Sequence, residues 1–233
     1  MSSIKDRAFR PVNLKDFDSY NLPEVHDIMY LNTPNERQYV LRMLIQKCGG
    51  EFKIPDEYLW TKPLIDAGYE KQKEMGIYHP YCYLTIRSGR VSSEKDDEWH
   101  VDGFSSRITH LPEQSYFWVD RFPTQFTAIP IDFPCDFNPL IHNVHTYIQN
   151  ILTKCKSSDK YLSVPIQRMF CMDPYVIHRR PPMIQYQSRT FVRVSFVPIE
   201  ICDDNNTQNP LIQVLPYNKF GLDFRNSLRR YDV

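Results

Sequence analysis

Two histidines and one aspartate carry the chemistry written most plainly in this chain of 233 residues. His100 and Asp102 lie in the run Trp99-His100-Val101-Asp102-Gly103-Phe104, and His178 lies much later, in Tyr175-Val176-Ile177-His178. In an extended segment alternate side chains leave the backbone on one face, so His100 and Asp102 stand side by side while Val101 turns away. A second imidazole from a distant strand completes a facial set of two histidines and one carboxylate. Such a set holds one octahedral ferrous ion and leaves the opposite face open to substrate and dioxygen.

A His-x-Asp pair arises often by chance in a chain with seven histidines, so the reading needs support from elsewhere. It comes from Arg189-Thr190-Phe191-Val192-Arg193-Val194-Ser195-Phe196, a β-branched and aromatic run that reads as a strand. Arg189, Phe191, Arg193 and Ser195 share one face of it. A guanidinium with a hydroxyl two residues on can hold a carboxylate through a bidentate pair plus one further hydrogen bond.

The order His-x-Asp, His, Arg-x-Ser, carried by His100, Asp102, His178, Arg193 and Ser195, resembles the Fe(II)- and 2-oxoglutarate-dependent dioxygenase superfamily over roughly residues 78 to 198. The resemblance implies a double-stranded β-helix, the cupin-like jelly roll, with iron on the triad, 2-oxoglutarate as cofactor and dioxygen as cosubstrate. It implies a hydroxylase that couples decarboxylation of 2-oxoglutarate to succinate and carbon dioxide with oxidation of a C–H bond, or a demethylase working through that step. Arg193 with Ser195 is expected to hold the remote carboxylate of 2-oxoglutarate. Arg189, eleven residues after His178, then faces the substrate or, in the reverse assignment, takes the cosubstrate itself. Tyr81 and Tyr83 reach cosubstrate or substrate, or else pack as ordinary residues of an amphipathic strand. Phe104 closes the pocket and Trp99 walls it. Arg168, Arg179, Arg180, Arg189 and Arg193 together suit an anionic substrate, although a solvated face accounts for Arg179 and Arg180 equally well. Two other readings keep part of this picture: a cupin-type metalloenzyme without 2-oxoglutarate, and a binding module with a degenerate site.

Charge narrows the partners. Twenty-eight basic residues balance twenty-eight acidic ones, so no overall field draws the chain onto a nucleic-acid backbone or an anionic membrane. A small molecule or free amino acid is the expected substrate, ahead of a protein side chain or a nucleobase. No apolar stretch approaches a bilayer span and the amino terminus lacks the apolar core of a secretory signal, which leads to the expectation of a cytoplasmic protein. The six cysteines form no Cys-x-x-Cys spacing and read as free, mostly buried thiols.

Eighteen prolines and 14% aromatic residues argue for a β-rich fold with helices at its flanks rather than a helical bundle. One domain is expected: a helical support over 1–77, a jelly-roll core over 78–198 with a helical insertion at about 138–155, and a tail over 199–233 that forms a lid or caps a sheet edge. Residues 1–32 look irregular. Thr33-Pro34-Asn35-Glu36 has the form of a capping box, and apolar residues at 40, 41, 44, 45 and 48 before Gly49-Gly50 predict a helix. A second is predicted over 63–75, stopped at Gly76, with Leu64, Ile65 and Gly68 inward. Strands are predicted from Tyr78 to a Ser88-Gly89 turn, at 115–119, 125–129, 161–171, 175–178 and 189–198. A helix begins at Asp136-Phe137-Asn138-Pro139, with an apolar stripe at 140, 141, 144, 148, 151, 152 and 155. His26, His79, His110, His142 and His145 read as ordinary polar residues.

Overall fold

The computed structural model describes residues 3–90, 98–104, 111–139, 141–155, 161–181 and 187–213. Among them two antiparallel sheets form. The larger contains β1 (Glu24–Ile28), β2 (Tyr39–Gln46), β3 (Tyr81–Arg90), β4 (Gln114–Val119), β7 (Arg168–Met172) and β9 (Ser188–Val197), in the order β1-β7-β4-β9-β3-β2. The smaller has the order β6-β5-β8, from β6 (Tyr161–Ser163), β5 (Gln125–Thr127) and β8 (His178–Arg179). Three helices accompany them: α1 (Ile4–Ala8), α2 (Lys62–Met75) and α3 (Val144–Lys154). The protein is therefore mainly β, with a few helices.

Alternation along the strands sorts the side chains into layers. Tyr116 and Trp118 of β4, Cys82, Leu84 and Ile86 of β3, and Val192, Val194 and Phe196 of β9 pack outward against Leu64 and Ile65 of α2. Gly68 lets α2 come close, since a Cβ there would stand 3.1 Å from the Tyr116 ring. Phe117, Phe170 and Met172 point the other way and meet Phe126 and Val176 between the sheets. A third cluster gathers Val144, Ile148 and Leu152 of α3 with Trp99, Val101, Tyr175 and Ile177. The α2 helix ends as expected: Gly76 takes the left-handed conformation (φ 76°) and the Ile77 N–H reaches back to the Gln72 carbonyl.

Several expectations are corrected. The run 39–46 is the strand β2, not a helix. A bulge between Val40 and Met43, with Arg42 at φ 42°, skips the alternation by one, so that Val40, Met43 and Ile45 face one cluster while Leu44 packs with Tyr83 and Val197 in another, and the apolar residues do not follow a clean period of two. The first 32 residues are not irregular but contain α1, a 3-10 turn at Leu14–Phe17 and β1, so the segment before residue 78 supplies two strands of the large sheet as well as helices. The α3 helix starts at Val144, because the Asn143 side chain accepts from the His145 and Thr146 N–H groups, and Ile141 stays exposed outside it. Leu140 of the predicted stripe lies outside the described residues, as does His110. The 161–171 strand is two strands, parted by Pro165 and by Gln167 at φ 55°. No turn forms at Ser88-Gly89, where β3 runs on to Arg90. Only Cys82 and Cys171 of the six cysteines are buried. The described part of the tail caps an edge: Thr207 bonds Leu41 in both directions, and Asn209 donates to the Leu44 and Lys53 carbonyls beside β2. No helix among the described residues is long and apolar enough to cross a membrane.

Candidate metal centre

His100 and His178 meet as an antiparallel bridge. The His100 N–H donates to the His178 carbonyl at 3.0 Å and the His178 N–H donates to the His100 carbonyl at 2.9 Å. Directly opposed residues of such a pair present their side chains on one face, and the two imidazole centroids are 4.5 Å apart. Asp102, two residues beyond His100, returns to that face, with Oδ2 3.5 Å from His178 Nε2. On its other side β8 pairs with β5, Phe126 opposite His178, and the ring of His178 lies between Phe126 and Phe117. The segment that carries His100 is tied to α3, where the Gln149 Oε1 accepts from the Trp99 N–H at 2.8 Å.

The donor set fits a divalent ion. His100 Nδ1 lies 2.8 Å from the Glu98 carbonyl and His178 Nδ1 lies 3.0 Å from the Val176 carbonyl, contacts that place the ring protons on Nδ1 and leave both Nε2 lone pairs for a metal. One ligand atom from each of His100, Asp102 and His178 falls within 4.8 Å of the others. Ligands about 2.1 Å from a common ion stand about 3 Å apart along a facial edge, so the His178–Asp102 pair, at 3.5 Å, is nearly at the spacing that a shared ion would need. Electrostatics prepare the set as well. Burial, reinforced by His178, lowers the pKa of His100 to about 4, so its ring is neutral at pH 7. Burial pushes the Asp102 carboxyl up, but the Arg193 guanidinium and His178 outweigh it and hold the group well below its ordinary value, as a carboxylate.

A cavity of about 970 Å3 opens beside the triad. Arg189 and Arg193 both line it, from one face of β9, as their spacing requires. They are engaged differently. Arg193 donates to Asp102 Oδ2, whereas Arg189 Nη2 donates to Thr124 Oγ1 at 3.0 Å. The Ser195 hydroxyl is turned to Ser115 Oγ at 2.7 Å, and Ser115 donates on to Glu113 Oε1 at 3.1 Å. Ser195 is thus placed in a hydrogen-bond chain beside Arg193 rather than on the cavity wall. Trp99 walls the cavity.

Other candidates lie elsewhere. Tyr83 shares a strand face with Thr85 and Arg87, but its end of that face is covered by Leu44, Val197 and Ile201, and its hydroxyl accepts from the Ile201 N–H at 2.7 Å. Tyr81 lies at the same covered end, its hydroxyl 3.8 Å from Cys48 Sγ. Phe104 packs on Phe17 and Tyr175 rather than on the cavity. Of the basic cluster, Arg168 binds the His26 carbonyl, and Arg179 lies over the Trp99 ring at 4.4 Å while donating to Gln125. Arg180 does line the cavity, with 8% exposure.

The sequence reading passed over Arg37, Thr85, Arg87, Glu98 and Thr124 on the lining and Glu113 behind it. Thr85 and Arg87 alternate with the core residues of β3, which was the available signal. Glu113 had none, since only the pairing of β4 with β9 brings it near Asp102.

No family model matches the chain, and no curated protein matches it. Among solved structures the chain is similar to the crystal structure of AviO1 from Streptomyces viridochromogenes Tue57, at 11% identity over 90% of this chain and 100% of that one, with a TM-score of 0.40. A likeness of that size carries no argument about fold or function.

Proposed function

We propose that the chain is an Fe(II)- and 2-oxoglutarate-dependent oxygenase of jelly-roll type, hydroxylating a C–H bond of a small molecule or amino acid. The observation that carries this reading is the convergence of His100, Asp102 and His178 on one face, at the side of a cavity that also receives Arg189 and Arg193. Two facing antiparallel sheets are the framework on which a jelly roll is built.

The triad would hold the iron and leave one side of it toward the cavity. Iron with 2-oxoglutarate supplies the activation of dioxygen, and the protein supplies position and a shielded space. Arg193 keeps Asp102 ionised and aimed. The bonds from Nδ1 to the Glu98 and Val176 carbonyls lock both ring orientations. Arg189 with Thr124 offers a guanidinium and a hydroxyl on the cavity wall, the pair needed to grip the far carboxylate of the cosubstrate. Because Ser195 is committed to Ser115, this is the assignment we adopt in place of Arg193 with Ser195. Phe117 and Phe126 flank His178 and keep water from that side of the site.

The test is turnover of 2-oxoglutarate to succinate by the purified chain with ferrous ion and oxygen, without added substrate. Succinate formation that disappears in His178→Ala and Asp102→Ala supports the reading. A chain that binds the metal stoichiometrically but leaves 2-oxoglutarate untouched is instead a metalloenzyme of the cupin kind.

A further inference from the structure

Among the described residues, the cavity beside the triad is lined by more arginines than acids, in a chain whose formal net charge is zero. Five arginines line it, Arg37, Arg87, Arg180, Arg189 and Arg193, against two acids, Glu98 and Asp102. The present inference rests on the oxygenase reading, in which Arg193 serves Asp102 and Arg189 serves the cosubstrate. That reading gives no role to Arg37, Arg87 and Arg180, which line the same cavity.

Strand register sets where they stand. On the cavity face of the large sheet, cross-strand neighbours form rows: Thr85 beside Arg193, next Tyr39 and Phe191 on either side of Arg87, next Gly89 beside Arg189. Successive rows are about 7 Å apart, two residues of strand rise. Gly89 has no side chain, and the stem of Arg37 fills the space, with Cγ 2.9 Å from where a Cβ would be. Arg37 therefore lies over the row next to Arg87. Arg180 enters from the opposite sheet, alternating with His178 and so sharing its face. Arginines from three parts of the chain thus border one void, one row or more removed from the metal-facing Arg193. A void of about 970 Å3 is at the upper end for small-molecule sites, which leaves room for a second molecule beside the cosubstrate.

A planar guanidinium meets phosphate or carboxylate oxygens two at a time, and a cleft lined by one sign of charge concentrates the opposite ion. We infer that the substrate is a small anionic molecule whose phosphate or carboxylate, on the part remote from the oxidised carbon, is held by Arg37, Arg87 and Arg180.

The test loads the full chain with Mn(II) and the unreactive 2-oxoglutarate analogue N-oxalylglycine, then titrates it calorimetrically with glycerol 3-phosphate, with malonate and with glycerol as the neutral control. One equivalent of glycerol 3-phosphate or malonate binds and glycerol does not, and the tighter of the two anions tells phosphate from carboxylate. The double variant R37Q/R87Q weakens that binding by roughly tenfold or more and flattens its salt dependence. Both side chains are exposed, so the variant folds, which unchanged Mn(II) affinity verifies. Absence of anion binding, binding untouched by the double variant, or binding abolished by N-oxalylglycine would overturn the inference. Failure of Mn(II) to bind the native chain, read separately by electron paramagnetic resonance, overturns the oxygenase reading instead. In that case arginine-dependent anion binding to the metal-free chain decides whether the anion site itself stands.

Discussion

The main chains of His100 and His178 exchange two hydrogen bonds, although 78 residues separate them in sequence. Register, rather than side-chain flexibility, is what makes the imidazoles neighbours: a slip of one residue would send one ring to the opposite face of the strand. Asp102 joins them because it is two residues from His100. Replacing His100, Asp102 or His178 singly by alanine is expected to lower Mn(II) affinity by more than the roughly 10- to 100-fold that outer partners of metal sites are worth. Equilibrium titration of each variant checks this.

Arg193 is expected to keep Asp102 from limiting metal binding in acid. The folded pKa of Asp102 lies well below its ordinary value, with Arg193 the largest lowering influence. Metal affinity in the native chain falls as pH drops toward the His100 pKa of about 4, before Asp102 takes a proton, because protons compete for the ligands. In Arg193→Gln, burial carries the Asp102 pKa above that of His100, and the acid limb of the Mn(II) binding curve moves to higher pH. A limb that stays in place would show that Arg193 does not hold Asp102 ionised.

Gly103 is tied to Glu113. Its φ is 71°, and a Cβ there would fall 2.1 Å from the Glu113 Cδ. Gly103→Ala is expected to cost roughly 1–2 kcal/mol for the left-handed backbone alone, with more for displacing Glu113. The double variant Gly103→Ala/Glu113→Ala should recover the second part and not the first. Chemical denaturation of Gly103→Ala, Glu113→Ala and the double variant separates the two contributions.

A buried ion pair anchors the N-terminal helix to the end of β7. Arg7 Nε donates to Asp173 Oδ2 at 2.6 Å, with side chains 3% and 0% exposed. Burial raises the Asp173 pKa and Arg7 opposes that rise. Arg7→Leu leaves a buried carboxylate without this cation and should destabilise the fold by about 3–5 kcal/mol. Arg7→Leu/Asp173→Leu should be much less destabilised, which denaturant unfolding can measure.

His79 gives a pH dependence apart from the metal centre. Its Nε2 is 3.1 Å from the Pro112 carbonyl, and burial lowers its pKa to about 4. An unfolded histidine titrates near 6.5, so between those values the unfolded chain binds more protons. The stability from keeping His79 neutral is complete above about pH 6.5 and lost as pH falls toward 4, a change on the order of 3 kcal/mol. His79→Gln should flatten the stability profile in that window.

Much of this was legible in the residues because it is local. Alternation with period two placed His100 and Asp102 on one face, put Arg189 and Arg193 together, and turned Cys82, Leu84 and Ile86 to the core of β3. Gly76 marked the end of α2 for an equally local reason, since only the left-handed cap needed it. What the chain alone did not decide depends on partners distant in sequence. Pairing with β3 made residues 39–46 a strand, and the bulge there disguised its period. The tail covers Tyr83, and β4 carries Ser115 to Ser195, so neither side chain stands on the cavity wall. His178 reaches His100, and Arg193 reaches Asp102, through sheet register. Backbone stereochemistry prescribes which way a side chain leaves its own strand, whereas what it meets there is settled only when the sheets pair and pack.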